Sequence, residues 1–504
     1  MKYLSTRDGS LRVTGAEAIK LGLSRDGGLL TPEAIPQFGK ELDELRELAG
    51  LSYPERAAKI MAMYLTDFTE AELLTYAKNA YGPEKFDDPA AAPVRDVGKA
   101  AEANRWRTHC LELWHGPTSA FKDMALQMLP QLLSASLRKT GEDKTACILV
   151  ATSGDTGKAA MAGFPDVPQT KILVFYPKDG VSRVQEAQMV TQDGENVGVC
   201  AVEGNFDDAQ AGVKRIFSNA DIREALAGRG YLLSSANSIN WGRILPQVVY
   251  YISAYCDLLR DGALALGDKV DFCVPTGNFG DILAAYYAKR MGLPVGKLIC
   301  ASNQNDVLTD FLRTGVYDRD RPFHNTVSPS MDILVSSNLE RLLFHLSGED
   351  DAEVRGYMEA LGAGGRYEVS EKIKAALREQ FWGGSCGEAG TLETIARYHK
   401  EHGYLIDTHT AVAAGVLEQY RAETGDRALT VFVSTASPYK FCDSVLQAIG
   451  ETPEGDGVEL LDQLNAVSGV AVPRRLAALK GKERRFSLTC GKQGMDGVVL
   501  EFLD

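Results

Sequence analysis

Apolar runs alternate with amphipathic stretches over much of the chain, most regularly between residues 110 and 300. Short runs rich in Val, Ile, Leu and Phe have the length and composition of buried strands, and they lie at residues 146–152, 171–177, 197–202, 270–274 and 429–433. Strand patterns that alternate with helix patterns predict an α/β fold, with mostly parallel sheets and helices on both faces.

Three of the predicted strands end in turns of small residues. These turns occupy residues 153–157, 275–280 and 434–438. A strand that ends in such a turn and opens a helix presents unpaired N–H groups, and the helix dipole behind them favours an anion. Because ligands bind at the carboxyl ends of parallel strands, we expect the three turns to converge at one phosphate-binding site.

One lysine follows a Gly-Pro turn in the segment 115–123. Thr118 or Ser119 is predicted to cap the helix that begins there, which places Lys122 in its first turn. The positive end of the helix dipole disfavours the ammonium form, as a nucleophilic amine requires. A single lysine is usually a solvated cation, so this hypothesis depends on the glycine-rich turns that would hold a phosphorylated cofactor.

The two flanks of this α/β pattern differ from it. Residues 53–65 and 69–77 have helical apolar spacing, and the Pro- and Ala-rich stretch at 88–94 predicts a boundary. Residues 303–400 are more irregular and contain an amphipathic helix pattern at 371–381. We interpret 303–400 as an insertion into the larger domain.

Composition is typical of a globular enzyme and excludes several partners. The chain has 504 residues, and its formal net charge of −14 argues against nucleic acid or an anionic membrane as a main partner. No stretch reaches the ~18 apolar residues of a membrane span, and the N-terminus lacks a signal-peptide core. The nine cysteines form no C-x-x-C pair, which favours free thiols in a reducing cytoplasm.

Other polar motifs have simpler interpretations. Residues 154–158 lack the spacing of a nucleotide-binding P-loop, and Lys158 is predicted to be solvated rather than to contact a substrate anion. His399 and His402 are predicted to lie at an exposed helix end rather than in a metal site. For His115, a structural hydrogen bond and proton transfer both stay open.

The pair formed by Asp407 and His409 could be a catalytic dyad or a helix cap. Asp407 precedes a predicted helix, and aspartate is a favoured capping residue. A helix-capping role for Asp407 or Thr408 is therefore preferred.

The sequence resembles the long form of threonine synthase, a family of enzymes that use pyridoxal 5′-phosphate (PLP) and share the fold of the tryptophan synthase β subunit. The matching segments occur in family order over nearly the whole chain: residues 1–6, 26–32, 113–123, 152–157, 237–243, 274–282 and 434–440. The segments at 113–123 and 274–282 are the most specific. Departures from the family pattern, of which the last two affect local substrate contacts, occur at Trp114, Ser119, Lys158, Ser437 and Tyr439.

The resemblance implies a PLP-dependent fold of type II, with two α/β domains and a helical N-terminal domain. The implied division is an N-terminal domain at 1–95, a small domain at 141–234, and a large PLP-binding domain formed by 96–140 and 235–504.

The resemblance also implies the site residues. Lys122 corresponds to the family lysine that binds PLP covalently and serves as catalytic acid and base. Asp155 lies against the pyridine ring, Thr435 binds the ring nitrogen, and the residues implied at the cofactor phosphate are Gly277, Asn278, Phe279, Gly280 and Asp281. The residues implied for the substrate are Ser153, Thr156, Asn237, Ser238, Asn240 and Arg243. No metal is implied, and an arginine suits a substrate phosphate because its planar fork binds phosphate in bidentate fashion.

The implied reaction converts O-phospho-L-homoserine and water to L-threonine and phosphate, the last step of threonine biosynthesis. We expect a cytoplasmic monomer or homodimer whose partner is this small-molecule substrate. Two alternatives remain: another PLP-dependent lyase of the same fold, such as a dehydratase or a phospholyase, and a non-catalytic relative. The segment 237–243 favours the first function over another lyase, and the intact Lys122 argues against a relative without activity.

Overall fold

The computed structural model describes residues 1–98, 107–455 and 457–504; residues 99–106 of the predicted large domain therefore lie outside the described residues. The helices predicted at 53–65 and 69–77 are confirmed. The N-terminal elements are β1 (Tyr3–Ser5), α1 (Gly15–Leu21), β2 (Leu30–Pro32), α2 (Asp43–Ala49), α3 (Tyr53–Tyr64) and α4 (Glu70–Tyr81). α4 begins with a capping box, in which Thr69 and Glu72 each accept a hydrogen bond from the other's backbone N–H.

A five-stranded sheet follows the segment that contains Lys122. That segment comprises β3 (Val94–Asp96), β4 (Thr108–Glu112), α5 (Lys122–Leu126) and α6 (Leu129–Lys139). The next elements are β5 (Thr145–Ala151), α7 (Asp155–Gly163), β6 (Thr170–Pro177), α8 (Arg183–Val190), β7 (Val197–Glu203), α9 (Phe206–Ser218), α10 (Ala220–Gly228) and β8 (Tyr231–Ser234).

The rest of the chain supplies most of a six-stranded sheet. Its first elements are α11 (Trp241–Arg260), β9 (Val270–Pro275), α12 (Gly280–Arg290), β10 (Val295–Ser302), α13 (Val307–Thr314), β11 (Val316–Asp318), α14 (Leu339–Ser347), α15 (Asp351–Gly364), β12 (Arg366–Glu368), α16 (Glu371–Gln380) and β13 (Phe381–Ser385). The last are α17 (Glu388–Arg397), α18 (Thr408–Thr424), β14 (Leu429–Ser434), α19 (Cys442–Ala448), α20 (Leu460–Ser468), α21 (Arg474–Ala477), β15 (Thr489–Gly491) and α22 (Met495–Phe502).

Both large sheets are mostly parallel, as the alternating pattern predicted. The six-stranded sheet has the order β13-β10-β9-β14-β4-β3, and only β3 runs antiparallel to its neighbour. The five-stranded sheet has the order β15-β7-β6-β5-β8 and is parallel throughout. The turns after β5, β9 and β14 therefore lie at the carboxyl ends of their strands, where ligands bind in such sheets.

Two edge strands differ from the predicted division of the chain. β15 pairs with β7, so the C-terminal residues lie on the five-stranded sheet, whereas all of 235–504 was predicted to lie in the large domain. β13 comes from the predicted insertion at 303–400 and forms an edge of the six-stranded sheet. Both edge strands are short and rich in glycine, Thr-Cys-Gly and Phe-Trp-Gly-Gly-Ser, so neither has the apolar run that marks a buried strand in sequence.

α11 forms the centre of the largest hydrophobic core. Nearly all of its residues are buried, and its first residue, Trp241, packs its ring 5.7 Å from Tyr3, 5.6 Å from Tyr64 and 5.3 Å from Tyr287. These contacts join the N-terminal part of the chain to the six-stranded sheet. No helix in the described parts of the chain is long and apolar enough to cross a bilayer.

Candidate active site

Lys122 follows a loop that pairs with a second loop of the six-stranded sheet. Lys122 is the first residue of α5, as predicted, and the loop before it runs beside the loop after β14. The N–H of Phe121 donates to the carbonyl of Thr435 at 2.7 Å, and the N–H of Ser437 donates to the carbonyl of Ser119 at 3.0 Å. Because β4 and β14 are parallel neighbours, their loops emerge at the same edge, and the backbone bonds fix Thr435 beside the lysine.

The predicted cap of α5 is wrong. The residue before the helix is Phe121, which offers no side-chain cap. Instead, the N–H and the hydroxyl of Thr118 both donate to the Asp123 carboxylate, at 2.7 and 2.8 Å. A Cβ atom on residue 116 would lie 2.6 Å from Cβ of Asp123. Glycine at this position is therefore needed for Asp123 to pack against the turn.

The amine of Lys122 is in an environment that favours its neutral form. Burial, with the cations of Arg243 and Lys440 nearby, lowers its pKa to about 8, although Asp155 acts in the opposite direction. The lowered pKa agrees with the prediction, but burial rather than the dipole of the short helix α5 is the main cause. Lys122 Nζ lies 3.4 Å from the hydroxyl oxygen of Ser330, a residue that no sequence motif singled out.

Asp155 is the first residue of α7 and forms a buried ion pair. Its Oδ1 lies 2.7 Å from Nζ of Lys440 and accepts a hydrogen bond from Nε2 of Gln185 at 3.0 Å. Burial opposes ionisation of this carboxylate, but the ammonium groups of Lys440 and Lys122 outweigh burial and hold its pKa well below the usual range. Asp155 is thus a fixed negative charge beside the reactive amine.

The loop between β9 and α12 presents a run of unpaired backbone N–H groups, called the amide cradle here, which suits an anion. Among the described residues, the backbone N–H groups of residues 277–282 have no protein acceptor, and Phe279 takes a left-handed φ of 62° that turns the chain into the helix. A Cβ on Gly277 would lie 3.1 Å from the carbonyl of Ser330. The cradle and the amine of Lys122 therefore both adjoin Ser330.

Asn338 adds a side-chain donor to this cradle. Its Oδ1 accepts from Nη1 of Arg341, which leaves its Nδ2 buried without a partner. Nδ2 lies 3.3 Å from the Cβ position of Gly280. An unpaired buried donor beside a helix N-terminus fits a phosphate group, so the residues present fit the phosphate of PLP.

Asp281 does not present its side chain to the cradle. Both Tyr250 and Tyr251 donate to its Oδ1, at 2.5 and 2.6 Å, so the carboxylate faces α11. Burial raises its pKa to about 6. The backbone N–H of Asp281, which the resemblance assigns to the cofactor phosphate, has no acceptor among the described residues.

We expect Asp281→Asn to stabilise the protein at neutral pH. The folded state binds the Asp281 proton more tightly than the unfolded state, so wild-type stability falls as pH rises from about 4 to about 6 and stays lower above that. The variant lacks this loss and keeps an oxygen acceptor for both tyrosines. Its free energy of unfolding, from urea titrations, should exceed the wild-type value by roughly 2–3 kcal/mol at pH 8 and by little at pH 4. An equal difference at both pH values would contradict this, and Asp320→Asn, at an exposed position, is the control.

The first turn of α11 provides a buried cationic donor. Arg243 is buried, donates from Nη1 to the carbonyl of Ala236 at 2.6 Å, and has no partner for its Nε. Burial lowers its pKa to about 10. Ser238 lies near the cradle, with its Cβ 3.8 Å from the Cβ position of Gly280, whereas Asn237 is exposed.

Asn240 has a structural role instead of the predicted role in substrate binding. Its Oδ1 caps α11 by accepting from the N–H of Gly242 at 2.9 Å, and its Nδ2 donates to the carbonyl of Ile19 at 3.0 Å. The side chain is therefore fully occupied by the protein.

The turn that contains Ser153 and Thr156 also presents unpaired backbone N–H groups. The hydroxyl of Thr152 accepts from the N–H groups of Gly154 and Gly157, which holds the turn closed. Among the described residues, the N–H groups of 153, 155 and 156 have no protein acceptor. This turn can bind a second anion, such as a carboxylate, next to Asp155.

Three other polar residues have clear local partners. Lys158 is buried, contrary to the prediction: it donates to Oε1 of Gln192, and burial lowers its pKa to about 7. His115 is hydrogen-bonded to Glu112 at 2.8 Å, in line with the structural alternative. His402 contacts the carbonyl of Val97 at 3.0 Å, and the described residues contain no cluster of potential metal ligands.

Three family profiles match segments of this chain, and together they identify the class of protein to which it belongs. Residues 93–436 match the family profile described as "Pyridoxal-phosphate dependent enzyme". Residues 2–81 match "Threonine synthase N terminus", and residues 410–493 match "Threonine synthase, C-terminal". The cofactor of this class is PLP, whose phosphate fits the amide cradle described above.

Individual relatives agree with these profiles. The threonine synthase of Pseudomonas aeruginosa is 40% identical, over 90% of this chain and 92% of the relative. The crystal structure of PLP-bound threonine synthase from Brucella melitensis is 38% identical, with a TM-score of 0.87, and covers 100% of this chain and 99% of that one. Threonine synthase-like 1 of Homo sapiens is 41% identical over 86% of this chain, which spans only 58% of that protein's length. The chain therefore belongs to the threonine synthase family, as the resemblance in its sequence indicated.

Proposed function

We propose that the protein converts O-phospho-L-homoserine and water to L-threonine and phosphate. The observation that supports this best is the position of Lys122: its amine, with a pKa lowered to about 8, adjoins Ser330, and the amide cradle packs against the same residue. This arrangement suits a lysine that serves a cofactor with a phosphate tail.

The residues around the amine have distinct proposed roles. The N–H groups of 277–282 and Nδ2 of Asn338 would hold the phosphate of PLP, and the cofactor would supply an electron sink when bound. Lys122 removes and returns protons at the α- and β-carbons of the substrate, for which a pKa near the working pH is suited. Asp155 supplies the fixed negative charge, and Thr435 provides a neutral hydroxyl.

The substrate carries two anionic groups, and the site offers two further places for anions. The amides of 153, 155 and 156 can bind the carboxylate. Arg243 has an unpaired Nε and is proposed to bind the phosphate that leaves from the γ-carbon. Ser238, which precedes α11, lies near the cradle, with its Cβ 3.8 Å from the Cβ position of Gly280.

We expect Arg243→Gln to raise the KM for phosphohomoserine about 100-fold, because a charge-assisted hydrogen bond contributes up to about 3 kcal/mol. Glutamine keeps a donor for the carbonyl of Ala236 but loses the charge. Steady-state kinetics with coupled phosphate detection measures the change, and Arg223→Gln, on the exposed face of α10, is the matched control. A KM within threefold of wild type would show that another residue binds the leaving phosphate.

Product analysis tests the function itself. The purified protein, saturated with PLP, is incubated with phosphohomoserine, and the products are separated by chromatography. Equal amounts of threonine and phosphate are expected. A keto acid would indicate a dehydratase of the same fold, and the absence of any product together with the absence of cofactor absorbance would indicate a non-catalytic relative.

The cellular setting and assembly are also proposals. The nine cysteines are free thiols in the structure, and eight of them are buried, which supports a reducing compartment such as the cytoplasm. A monomer or homodimer stays a prediction, which size-exclusion chromatography with light scattering would test.

A further inference from the structure

A short turn between α13 and α14 lies directly over the amine of Lys122. Residues Pro329–Met331 form a single 3₁₀ turn, and the hydroxyl oxygen of Ser330 lies 3.4 Å from Nζ of Lys122 and 3.4 Å from Oδ2 of Asp155. A hydroxyl can accept from the amine while it donates to a carboxylate. Ser330 therefore stands between the reactive amine and the fixed negative charge.

The backbone of this turn is bound by an imidazole from a different element. The N–H of Ser330 donates to Nε2 of His409 at 3.1 Å. The other ring nitrogen, Nδ1, lies 2.8 Å from Oδ2 of Asp407, and both side chains are almost completely buried. An ionised carboxylate only accepts hydrogen bonds, so Nδ1 carries the proton and Nε2 is free to accept.

The helix cap at α18 does not require this ring. Asp407 caps the helix by accepting from the backbone N–H groups of His409 and Thr410, at 2.9 and 3.0 Å. The predicted cap is thus confirmed, but it involves only the backbone of His409. The imidazole is additional, and its contacts connect Asp407 to the turn over Lys122.

The turn is also anchored independently of His409. Asp332, which follows it, accepts from Nδ2 of Asn303 at 2.7 Å and from the hydroxyl of Thr326 at 2.8 Å. Loss of the imidazole should therefore leave the turn folded and release only the position of Ser330.

We propose that His409, held by Asp407, is a positioning residue that keeps the hydroxyl of Ser330 between the amine of Lys122 and the carboxylate of Asp155. The inference rests on the proposed function only in taking Lys122 as the reactive amine. Neither His409 nor Ser330 belongs to the sequence segments that carry the family resemblance.

The test measures the reactivity of Lys122 itself. The full-length protein, freed of cofactor, is labelled with trace acetic anhydride between pH 6 and 11, and modification of Lys122 is quantified by mass spectrometry. The wild-type midpoint is expected near pH 8. In His409→Leu and in Ser330→Ala the midpoint should rise by about one pH unit, because the amine can then approach Asp155 directly, while Arg243 and Lys440 stay in place.

Two conservative variants separate positioning from folding. His409→Gln places an oxygen acceptor near the N–H of Ser330 and should restore the wild-type midpoint. In Asp407→Asn the oxygen that faces Thr410 keeps the cap bond from its N–H. An amide in place of Oδ2 donates to Nδ1, which reverses the tautomer of His409, and it loses the cap bond from the N–H of His409. The labelling midpoint of this variant should therefore match that of His409→Leu.

The outcomes distinguish this inference from the proposed function. Wild-type midpoints in both His409→Leu and Asp407→Asn would overturn the inference, and so would a wild-type midpoint in Ser330→Ala. Threonine formation is measured in parallel on the PLP-loaded proteins. If the wild type formed no threonine but the midpoints shifted as expected, the proposed function would fail and the positioning role would stand.

Discussion

Lys122→Ala is expected to lower kcat/KM for phosphohomoserine by at least about 10⁴-fold. Lys122 is proposed both to bind the cofactor covalently and to act as acid and base at two carbons, and a positioned acid or base alone contributes up to about 10⁴-fold. The amine is buried near Asp155, Arg243 and Ser330, and the neighbouring amine of Lys440 is already paired with Asp155 at 2.7 Å. Steady-state measurement of threonine formation checks the loss.

The control must show that the fall in kcat/KM comes from losing Lys122 itself and not from losing one positive charge. Lys178→Ala removes an exposed lysine after β6 and should leave kcat/KM within twofold of wild type. Reduction of the wild type with borohydride in the presence of PLP should attach the cofactor at Lys122 and nowhere else, as peptide mass spectrometry would show. Normal turnover by Lys122→Ala would refute the proposed role of this residue.

Lys440→Met is expected to lower the free energy of unfolding by about 3–5 kcal/mol at pH 7, because it leaves Asp155 as a buried charge with one cation fewer. Nζ of Lys440 also donates to the carbonyl of Thr118 at 3.1 Å and to Oε1 of Gln188 at 3.0 Å, so each of these acceptors loses a charged donor. Denaturant titration followed by circular dichroism measures the change. The control is Arg46→Ala, which removes an exposed pair with Asp43 and should cost less than about 1 kcal/mol.

The sign of the pH dependence provides a second check. The pKa of Asp155 is held well below its usual range, so the ion pair contributes its full stability above about pH 4 and loses it as pH falls further. The difference between wild type and Lys440→Met should therefore shrink in acid. The double variant Lys440→Met/Asp155→Asn should recover much of the loss, since it removes the unpaired charge. A loss that is the same at pH 3 and pH 7 would argue against the ion pair as its cause.

The sequence predicted the framework of the site because that framework is local. Strands that end in small-residue turns and open helices leave the same amides unpaired in any parallel sheet. The turns after β5 and β9 and the placement of Lys122 at the start of a helix followed from such patterns, and the structure confirms them. The family was also identifiable from short segments in a fixed order.

The direction of side chains could not be predicted in the same way. Asp281 lies in the most specific motif, yet its carboxylate faces two tyrosines of α11. Asn240 caps a helix, and Lys158 is buried although a lysine on a helix is usually solvated. Ser330 and Asn338 belong to an irregular segment, and they become part of the site only when that segment packs against the loops after β4 and β9.

The sequence by itself therefore determined the class of fold, the placement of Lys122 at the start of a helix, and the amide turns. Each of these follows from residues that are neighbours along the chain or from periodicity within one element. The tertiary structure alone decided which charges are buried together, which side chains meet the amine, and which edge strands complete the sheets. These depend on contacts between residues hundreds of positions apart, whose burial and hydrogen bonds are set by packing, and no local pattern encodes that packing.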